Sequence, residues 1–337
     1  MLGWAVLAAL LASRLTAADK VKLFQASPSN GSLTEISTTE VVLKLGSTEK
    51  KFAVNEIEWI QFDSEPGDLT QGRNAFRAGR YESALALLDK INTAKLERLE
   101  MIKDVEFYKA SAAAHLALSG SGSKAEAGKK LLTFEKANES SFHYFEACET
   151  LGNLLAALNK PDQAETYFAK LAAAPWPDYK LRASVLMGRV LVERKEFDRA
   201  IARFDEVLST QEASKEAERQ KLAATLGKAA ALAGNGKSEQ AISSVEQVIA
   251  KADPENQELL ARAYIILGNC YQAAGKKKEA VLAFLHVDLL FARFPEQHAE
   301  ALSKLATLWT EVDQAERAAQ ARNTLKEKYP ESEWAKK

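Results

Sequence analysis

Apolar positions between residues 72 and 330 repeat as pairs of helical stripes. In the clearest copy they keep the i, i+3, i+4, i+7 spacing of one helix face, at Leu260, Ala263, Tyr264, Leu267 and Tyr271. Gly275 interrupts this stripe, and a second one begins at Ala280 and continues through Phe284. The pattern predicts a helix, a tight turn and an antiparallel helix.

One alanine at the start of the second stripe recurs about every forty residues. Its seven positions are Ala84, Ala127, Ala164, Ala200, Ala241, Ala280 and Ala318. Periods of this size are typical of a stack of similar small units, in which each unit buries its apolar face against its neighbours. The spacing therefore predicts a mainly α fold, an α-solenoid of about seven helix-turn-helix units.

Small and apolar residues keep fixed distances from this alanine. Twelve residues before it, six of seven copies have a small residue, at Gly72, Gly152, Gly188, Ala229, Gly268 and Ala306, with His115 as the exception. Four and seven residues after it, every position is apolar except Arg322 in the last copy. Because helices approach closely only where side chains are short, we expect the two helices of a unit to cross at the small residue.

Several copies carry a recognisable combination of residues. Leu267-Gly268-Asn269-Cys270-Tyr271 is followed by Phe284, Leu151-Gly152 by Phe168, and Met187-Gly188 by Phe204. These residues resemble the tetratricopeptide repeat (TPR). The resemblance implies a right-handed superhelix whose first helices line a concave face. The copies at Ala127, Ala241 and Ala318 depart from the pattern.

The same resemblance implies a binding groove formed by residues just after the small position and one turn away. Those residues are Arg73, Arg77, Glu149, Asn153, Arg182, Arg189, Asn269 and Gln272. Arginine and asparagine side chains can hydrogen-bond an extended peptide backbone or a carboxylate. The alternative is that these side chains only solvate the surface.

The groove predicts a protein-protein interaction scaffold that binds peptide or helix segments of a partner. Repeats that clamp the C-terminal carboxylate of cytosolic chaperones have a lysine three residues before the glycine. Those positions hold Leu69, Glu149, Val185 and Ile265 here, which argues against a chaperone adaptor. The alternative function is a structural protein that self-assembles through the ends of its solenoid, so a homo-oligomer stays open.

Residues 19–65 have a different pattern. Val41–Leu45 and residues 57–62 show the alternation or the β-forming composition of strands, and weaker candidates lie at residues 21–25, 33–36 and 51–54. Pro28-Ser29-Asn30-Gly31 and Gly46-Ser47 are candidate hairpin turns. The layout resembles SH3-like or Sm-like barrels, and the alternative is a sheet that caps the first repeat.

We expect the superhelix to span residues 68–337, with Asp68 capping its first helix.

Residues 1–18 resemble a signal peptide. Residues 1–12 are apolar apart from Gly3, and Thr16-Ala17-Ala18 supplies a small-x-small cleavage pattern. An uncleaved interfacial anchor is the alternative, and no later stretch is long and apolar enough to span a membrane. The ending Tyr329-Pro330-Glu331-Ser332 resembles the unit endings of exported bacterial repeat proteins of the cell envelope. We therefore expect a periplasmic or secreted protein.

The net charge and the reactive residues argue against nucleic-acid binding, metal binding and catalysis. The 45 basic and 46 acidic residues give a net charge of −1, whereas nonspecific nucleic-acid binding usually needs a basic excess. The four histidines lack metal-ligand spacing, and no catalytic motif is present. Cys148 and Cys270 are interpreted as buried, unpaired thiols. The sequence thus predicts no enzyme activity, no cofactor and no metal.

Overall fold

The structure, a computed structural model, describes residues 18–336, and the predicted leader therefore lies outside the described residues except for Ala18. The described chain begins with a five-stranded antiparallel sheet and continues as helices. The strands are β1 (Asp19–Leu23), β2 (Ser29–Ile36), β3 (Glu40–Leu45), β4 (Thr48–Ala53) and β5 (Ile57–Gln61), with a 3-10 turn at Val54–Glu56.

The sheet has the order β4-β3-β2-β1-β5, so the chain forms a meander and its last strand returns beside the first. All five predicted strands are present. The Gly46 turn is also present, with a φ of +64° that favours glycine. The predicted turn at Pro28–Gly31 is wrong, because Ser29–Gly31 pair with β1 as the start of β2. Gly31 is needed there for close approach, since a Cβ would lie 2.4 Å from the Lys44 carbonyl oxygen.

Seven helix pairs follow the sheet in the described chain. They are α1 (Gly67–Arg77) and α2 (Tyr81–Leu88), α3 (Leu99–Leu118) and α4 (Lys124–Ala137), α5 (Tyr144–Ala157) and α6 (Pro161–Ala172), α7 (Pro177–Glu193) and α8 (Phe197–Leu208), α9 (Lys215–Gly234) and α10 (Ser238–Lys251), α11 (Gln257–Ala273) and α12 (Lys277–Leu290), and α13 (Pro295–Glu311) and α14 (Ala315–Lys328). A short helix, α15 (Glu333–Lys336), ends the described chain. The expected Asp68 cap is wrong: α1 begins at Gly67 with Pro66 as its N-cap, and Asp68 lies in the first turn, where a carboxylate favours the helix dipole.

The recurring alanine lies in the second helix of every pair. All seven copies are buried, with at most 4% of their surface exposed. In three units the glycine of the first helix lies against a phenylalanine of the second. A Cβ added at Gly152 would lie 2.4 Å from the ring of Phe168, and one added at Gly188 or Gly268 would lie 2.6 Å from the ring of Phe204 or Phe284. The expected close crossing at the small residue is confirmed in these units.

The sheet and the first helices share one apolar core. Val41, Phe52 and Ile60 from the sheet join Phe76 and Val105 from the first helices in a single buried cluster. Polar contacts reach further along the stack. The side-chain amide of Asn55, in the 3-10 turn, donates to the Asp178 carboxylate at the start of α7 over 3.3 Å. The sheet therefore packs against the first units rather than standing apart from them.

The end of the last unit contacts the second unit. Gly120, in the turn between α3 and α4, is buried, and a Cβ added to it would lie 3.4 Å from the backbone nitrogen of Ser332. Ser332 itself is 8% exposed and precedes α15. The turn between α3 and α4 therefore contacts the segment that precedes α15. Within residues 18–336, none of the helices has the length and apolarity that crossing a membrane requires.

Candidate functional site

Four first helices from successive units enclose a cavity of about 200 Å³. Every residue that lines it lies on α7, α9, α11 or α13. The polar lining consists of Arg189, Glu193, Arg262, Asn269, Glu296, Gln297 and Glu300. The cavity-facing sides of these four helices are called the groove wall below. In units four to seven, the first helices therefore line a cavity, as expected of a wall formed by first helices.

Arg189 on α7 and Arg262 on α11 are half-buried and lie on opposite sides of α9. Among residues 18–336, no carboxylate oxygen approaches either guanidinium within 4.0 Å, and neither guanidinium donates a hydrogen bond. The positive charge of Arg189, together with burial, lowers the pKa of Arg262 to about 10. The two cations are thus close enough to repel each other without a carboxylate in contact.

Asn269 on α11 also has unused hydrogen-bonding capacity. Its side-chain nitrogen donates to Oε1 of Glu300 over 3.0 Å. Its Oδ1 is buried and has no donor within the described residues. Burial raises the pKa of the half-buried Glu300 carboxyl group above its ordinary value, so this group holds a proton more readily than an exposed one.

Arg182, two turns before Arg189 on α7, has a different environment. Its guanidinium donates to Glu149 on α5 over 3.0 Å and to Glu216 on α9 over 3.1 Å. Burial alone lowers the pKa of Arg182, but Glu149, Tyr179 and Glu216 raise it above its ordinary value. Arg182 therefore joins three consecutive first helices. The predicted groove residues Arg182 and Glu149 are brought together, but they satisfy each other.

Arg73 is not accessible, which contradicts its assignment to the groove. It is 2% exposed, and its guanidinium forms two hydrogen bonds, of 3.0 and 2.7 Å, with Glu65 and a third of 3.3 Å with Asp104. Asp104 in turn lies 3.1 Å from Nε2 of His143. The sequence pattern places Arg73 correctly on a first helix, but the sheet and α3 cover that helix.

The other predicted residues are separated along the stack. Arg77 pairs with Glu58 of β5 and so connects α1 to the sheet. Asn153 on α5 and Gln272 on α11 are half-buried, and neither side chain makes a hydrogen bond within residues 18–336. Of the eight predicted groove residues, only Arg189 and Asn269 line the cavity.

Comparisons with known proteins agree with this helical architecture. The profile of the tetratricopeptide repeat family matches residues 149–217, 185–257 and 261–290, which cover helices of α5 to α12.

The chain contains tetratricopeptide repeats between residues 149 and 290.

Solved TPR structures share its fold. A tetratricopeptide repeat protein from Parabacteroides merdae superposes with a TM-score of 0.54 at 16% identity, over 80% of this chain and 96% of that one. A Rap protein complexed with competence and sporulation factor superposes with a TM-score of 0.56, also at 16% identity, over 79% of this chain and 76% of that one. A comparison with curated proteins gives no match. TPR proteins are generally scaffolds without enzymatic activity.

The repeat pattern contains a signal for the cavity residues that sequence reasoning missed. In units five, six and seven, the residue six positions before the small residue lines the cavity. These residues are Ala223, Arg262 and Glu300. Arg182 occupies the same position in unit four. Reading this position as well as the residue after the glycine would have placed Arg262 opposite Arg189.

Cysteines and histidines of this TPR chain are used in packing. Cys148 and Cys270 are fully buried and free, as expected, and burial raises the pKa of each thiol to about 12. His115 occupies the small position of unit two and stacks on Tyr81 with ring centroids 4.6 Å apart. His298 lies between the Asp288 carboxylate and the Tyr329 hydroxyl, at 2.8 and 2.7 Å.

Proposed function

We propose that this chain is an exported scaffold that binds a peptide or helix segment of a partner protein on the groove wall. The observation that carries the proposal is the cavity between α7, α9, α11 and α13. There the half-buried guanidiniums of Arg189 and Arg262 make no ion pair and no hydrogen bond within residues 18–336. Partly buried charged groups are normally paired, so this wall is suited to a partner that supplies acceptors for the two guanidiniums.

The fold gives further support. The Rap structure, which shares this fold, contains competence and sporulation factor as a bound partner. At 16% identity, the similarity supports a shared fold and not a shared function. The support for groove binding in this chain comes from its own side chains. Those side chains belong to first helices, as the TPR resemblance leads us to expect.

Export is the second part of the proposal, and it depends on residues 1–18 and on the ending at Tyr329-Pro330-Glu331-Ser332. We infer a role in assembly of the cell envelope from the same two features. The mass of the protein recovered from a secreting host tests the cleavage. A chain that begins at Asp19 supports export, and a recovered protein that retains Met1 contradicts cleavage.

One observation argues against the alternative of end-to-end self-assembly. The outward face of α14, at the end of the stack, carries the exposed polar residues Arg322, Asn323 and Lys326. A polar terminal face is the usual device that keeps a repeat array from extending.

Affinity capture with cross-linking tests the proposed binding. Three baits are compared: the intact protein, the Arg189→Ala/Asn269→Ala double variant, and an Arg203→Ala control. Arg203 is half-buried on the second helix α8, outside the groove wall, and pairs with Glu206 on the same helix. We expect the double variant to lose partners that the control keeps, with cross-links mapping to α7, α9, α11 or α13. Identical partners with all three baits would contradict the groove assignment.

A further inference from the structure

We propose that Arg189 and Arg262 together form a receptor for the side-chain carboxylate of an Asp or Glu residue in an extended peptide of the partner. This inference rests on the proposed function and deepens it, because it assigns a chemistry to the ligand. It predicts an acidic residue where the partner crosses α9.

The first argument is that neither guanidinium of the arginine pair forms an ion pair within residues 18–336. Both side chains line the same cavity and are half-buried, and no carboxylate of the described chain contacts them. Like charges in a partly buried site repel more strongly than in water, because the surrounding medium screens them less. A ligand anion between the two guanidiniums removes this repulsion and accepts several charge-assisted hydrogen bonds.

The remaining charges of the cavity favour a carboxylate over a phosphate. Glu193, Glu296 and Glu300 line the same space as the two arginines. A phosphoryl group carries close to two negative charges near neutral pH and would face three carboxyl groups. A single carboxylate brings one charge, and its planar pair of oxygens matches the fork of a guanidinium.

The polar and apolar lining favours an extended peptide over a helix. The half-buried side chain of Gln297 lines the same cavity and makes no hydrogen bond within residues 18–336, so its amide oxygen can accept from a ligand N–H group. An extended segment offers free backbone N–H groups, whereas a helix uses its own beyond the first turn. Beside the arginines, the half-buried Val192 and Ile266 provide an apolar surface for a neighbouring side chain. The favoured ligand is therefore an acidic residue next to an aliphatic one.

Pools of short peptides test the proposal on the full-length protein. Each pool consists of N-acetylated, C-amidated pentapeptides with four randomised positions around a fixed central residue, which is glutamate, glutamine or phosphoserine. Immobilised protein is incubated with each pool at low and moderate salt, and the retained peptides are quantified by mass spectrometry. We expect about tenfold or greater retention of the glutamate pool over the glutamine pool, since hydrogen bonds to charged groups are the strong ones.

Three variants locate the effect. Arg189→Gln and Arg262→Gln should each reduce the preference for glutamate to less than about twofold, because either loss leaves a single cation. Arg203→Gln removes an equal charge from α8, outside the groove wall, and should keep the preference. Helix content and thermal unfolding of each variant exclude misfolding as the cause of a lost preference.

Each other outcome contradicts a defined part of the argument. Equal retention of the glutamate and glutamine pools, or a preference that survives Arg189→Gln, overturns the carboxylate receptor. Stronger retention of the phosphoserine pool overturns the assignment of the ligand as a carboxylate. If no pool is retained while affinity capture still yields groove partners, this inference fails and the proposed function stands. If affinity capture also fails, both are overturned.

Discussion

Arg182 and Arg189 lie two turns apart on α7, yet their surroundings differ completely. Arg182 contacts carboxylates on both neighbouring first helices, at 3.0 and 3.1 Å. Arg189 has no such contact among residues 18–336 and instead faces Arg262 across the cavity. One helix thus presents a cation with two ion pairs to one region of the wall and a cation without an ion pair to the next.

This difference separates structural polar residues from residues available for binding. A half-buried charge that is already paired would lose its partners when a ligand arrives, which opposes binding. A charge without a partner has nothing to lose. Residue type and repeat position cannot make this distinction, because Arg182 and Arg262 share both. The state of pairing in the folded chain makes it.

The strongest test of the comparison concerns Arg73, a buried arginine with two ion pairs. Replacing Arg73 with alanine leaves the carboxylates of Glu65 and Asp104 buried without their cation. We expect the free energy of unfolding to fall by about 3–5 kcal/mol, the usual cost of breaking a buried ion pair. Urea denaturation followed by helical circular dichroism measures it. Arg77→Ala, four residues later and partly exposed, is the control and should cost less than about 1 kcal/mol.

Arg182→Gln should have an intermediate effect. The substitution removes charge-assisted hydrogen bonds that connect α5, α7 and α9, but Glu216 keeps contacts with Arg219 and Gln220. We expect a loss of about 1 kcal/mol in unfolding free energy, discounted for the partial exposure of the pair. Thermal and urea unfolding provide the measurement. An unchanged stability would mean that the bridge is not structural and that the comparison with Arg189 fails.

The pH dependence of stability should show that His143 belongs to the paired network of Arg73. Burial lowers the pKa of His143, but hydrogen bonds to Asp104 and Glu146 more than compensate and raise it above its ordinary value. Because the pKa is higher in the folded state, protonation of His143 stabilises the fold. This contribution is complete at pH values below the unfolded-state pKa of about 6.5, and it is lost as the pH rises through the folded-state pKa.

Wild type and His143→Gln are therefore compared by urea denaturation between pH 5 and pH 9. The stability difference in favour of wild type should be largest at low pH and shrink as the pH rises. His286→Gln, on the exposed side of α12, is the matched control and should leave the slope unchanged. A difference that grows with pH would reverse the proposed sign.

Arg189→Gln should have the smallest effect on stability, and in the opposite direction. Removing one of two repelling cations should leave the unfolding free energy unchanged or raise it by up to about 1 kcal/mol. Thermal unfolding beside Arg182→Gln gives a matched pair on the same helix. A loss of more than about 1 kcal/mol would show that Arg189 already has a stabilising partner.

The repeat architecture could be predicted from sequence because it depends on local spacing. Burial of each anchor alanine follows from helix periodicity, and the close approach of Gly152 to Phe168 follows from a small residue facing a large one. The sheet was predictable for the same reason. The turn at Pro28–Gly31 was wrong because Gly31 also suits a strand that approaches the Lys44 carbonyl closely. The domain limits at residues 19–65 and 68–337 stay predictions.

The binding residues were less predictable because their roles depend on neighbours that are distant in sequence. Arg73 has the expected position in its unit, but it is buried against Asp104 of α3 and Glu65 of the linker. Arg182 and Arg189 differ only through Glu149 and Glu216, which are contributed by other units. A repeat motif specifies which helix a side chain occupies. It does not specify whether a carboxylate from another unit meets it.

The contact between Gly120 and Ser332 has a mechanical consequence. An open array of repeats would peel apart from either end, one unit at a time, because each unit contacts only its neighbours. Here the turn of the second unit meets the segment before α15. Part of a force applied near the C-terminal end is therefore carried by the second unit. The contact between Gly120 and Ser332 has to break before the last repeat can unfold by itself.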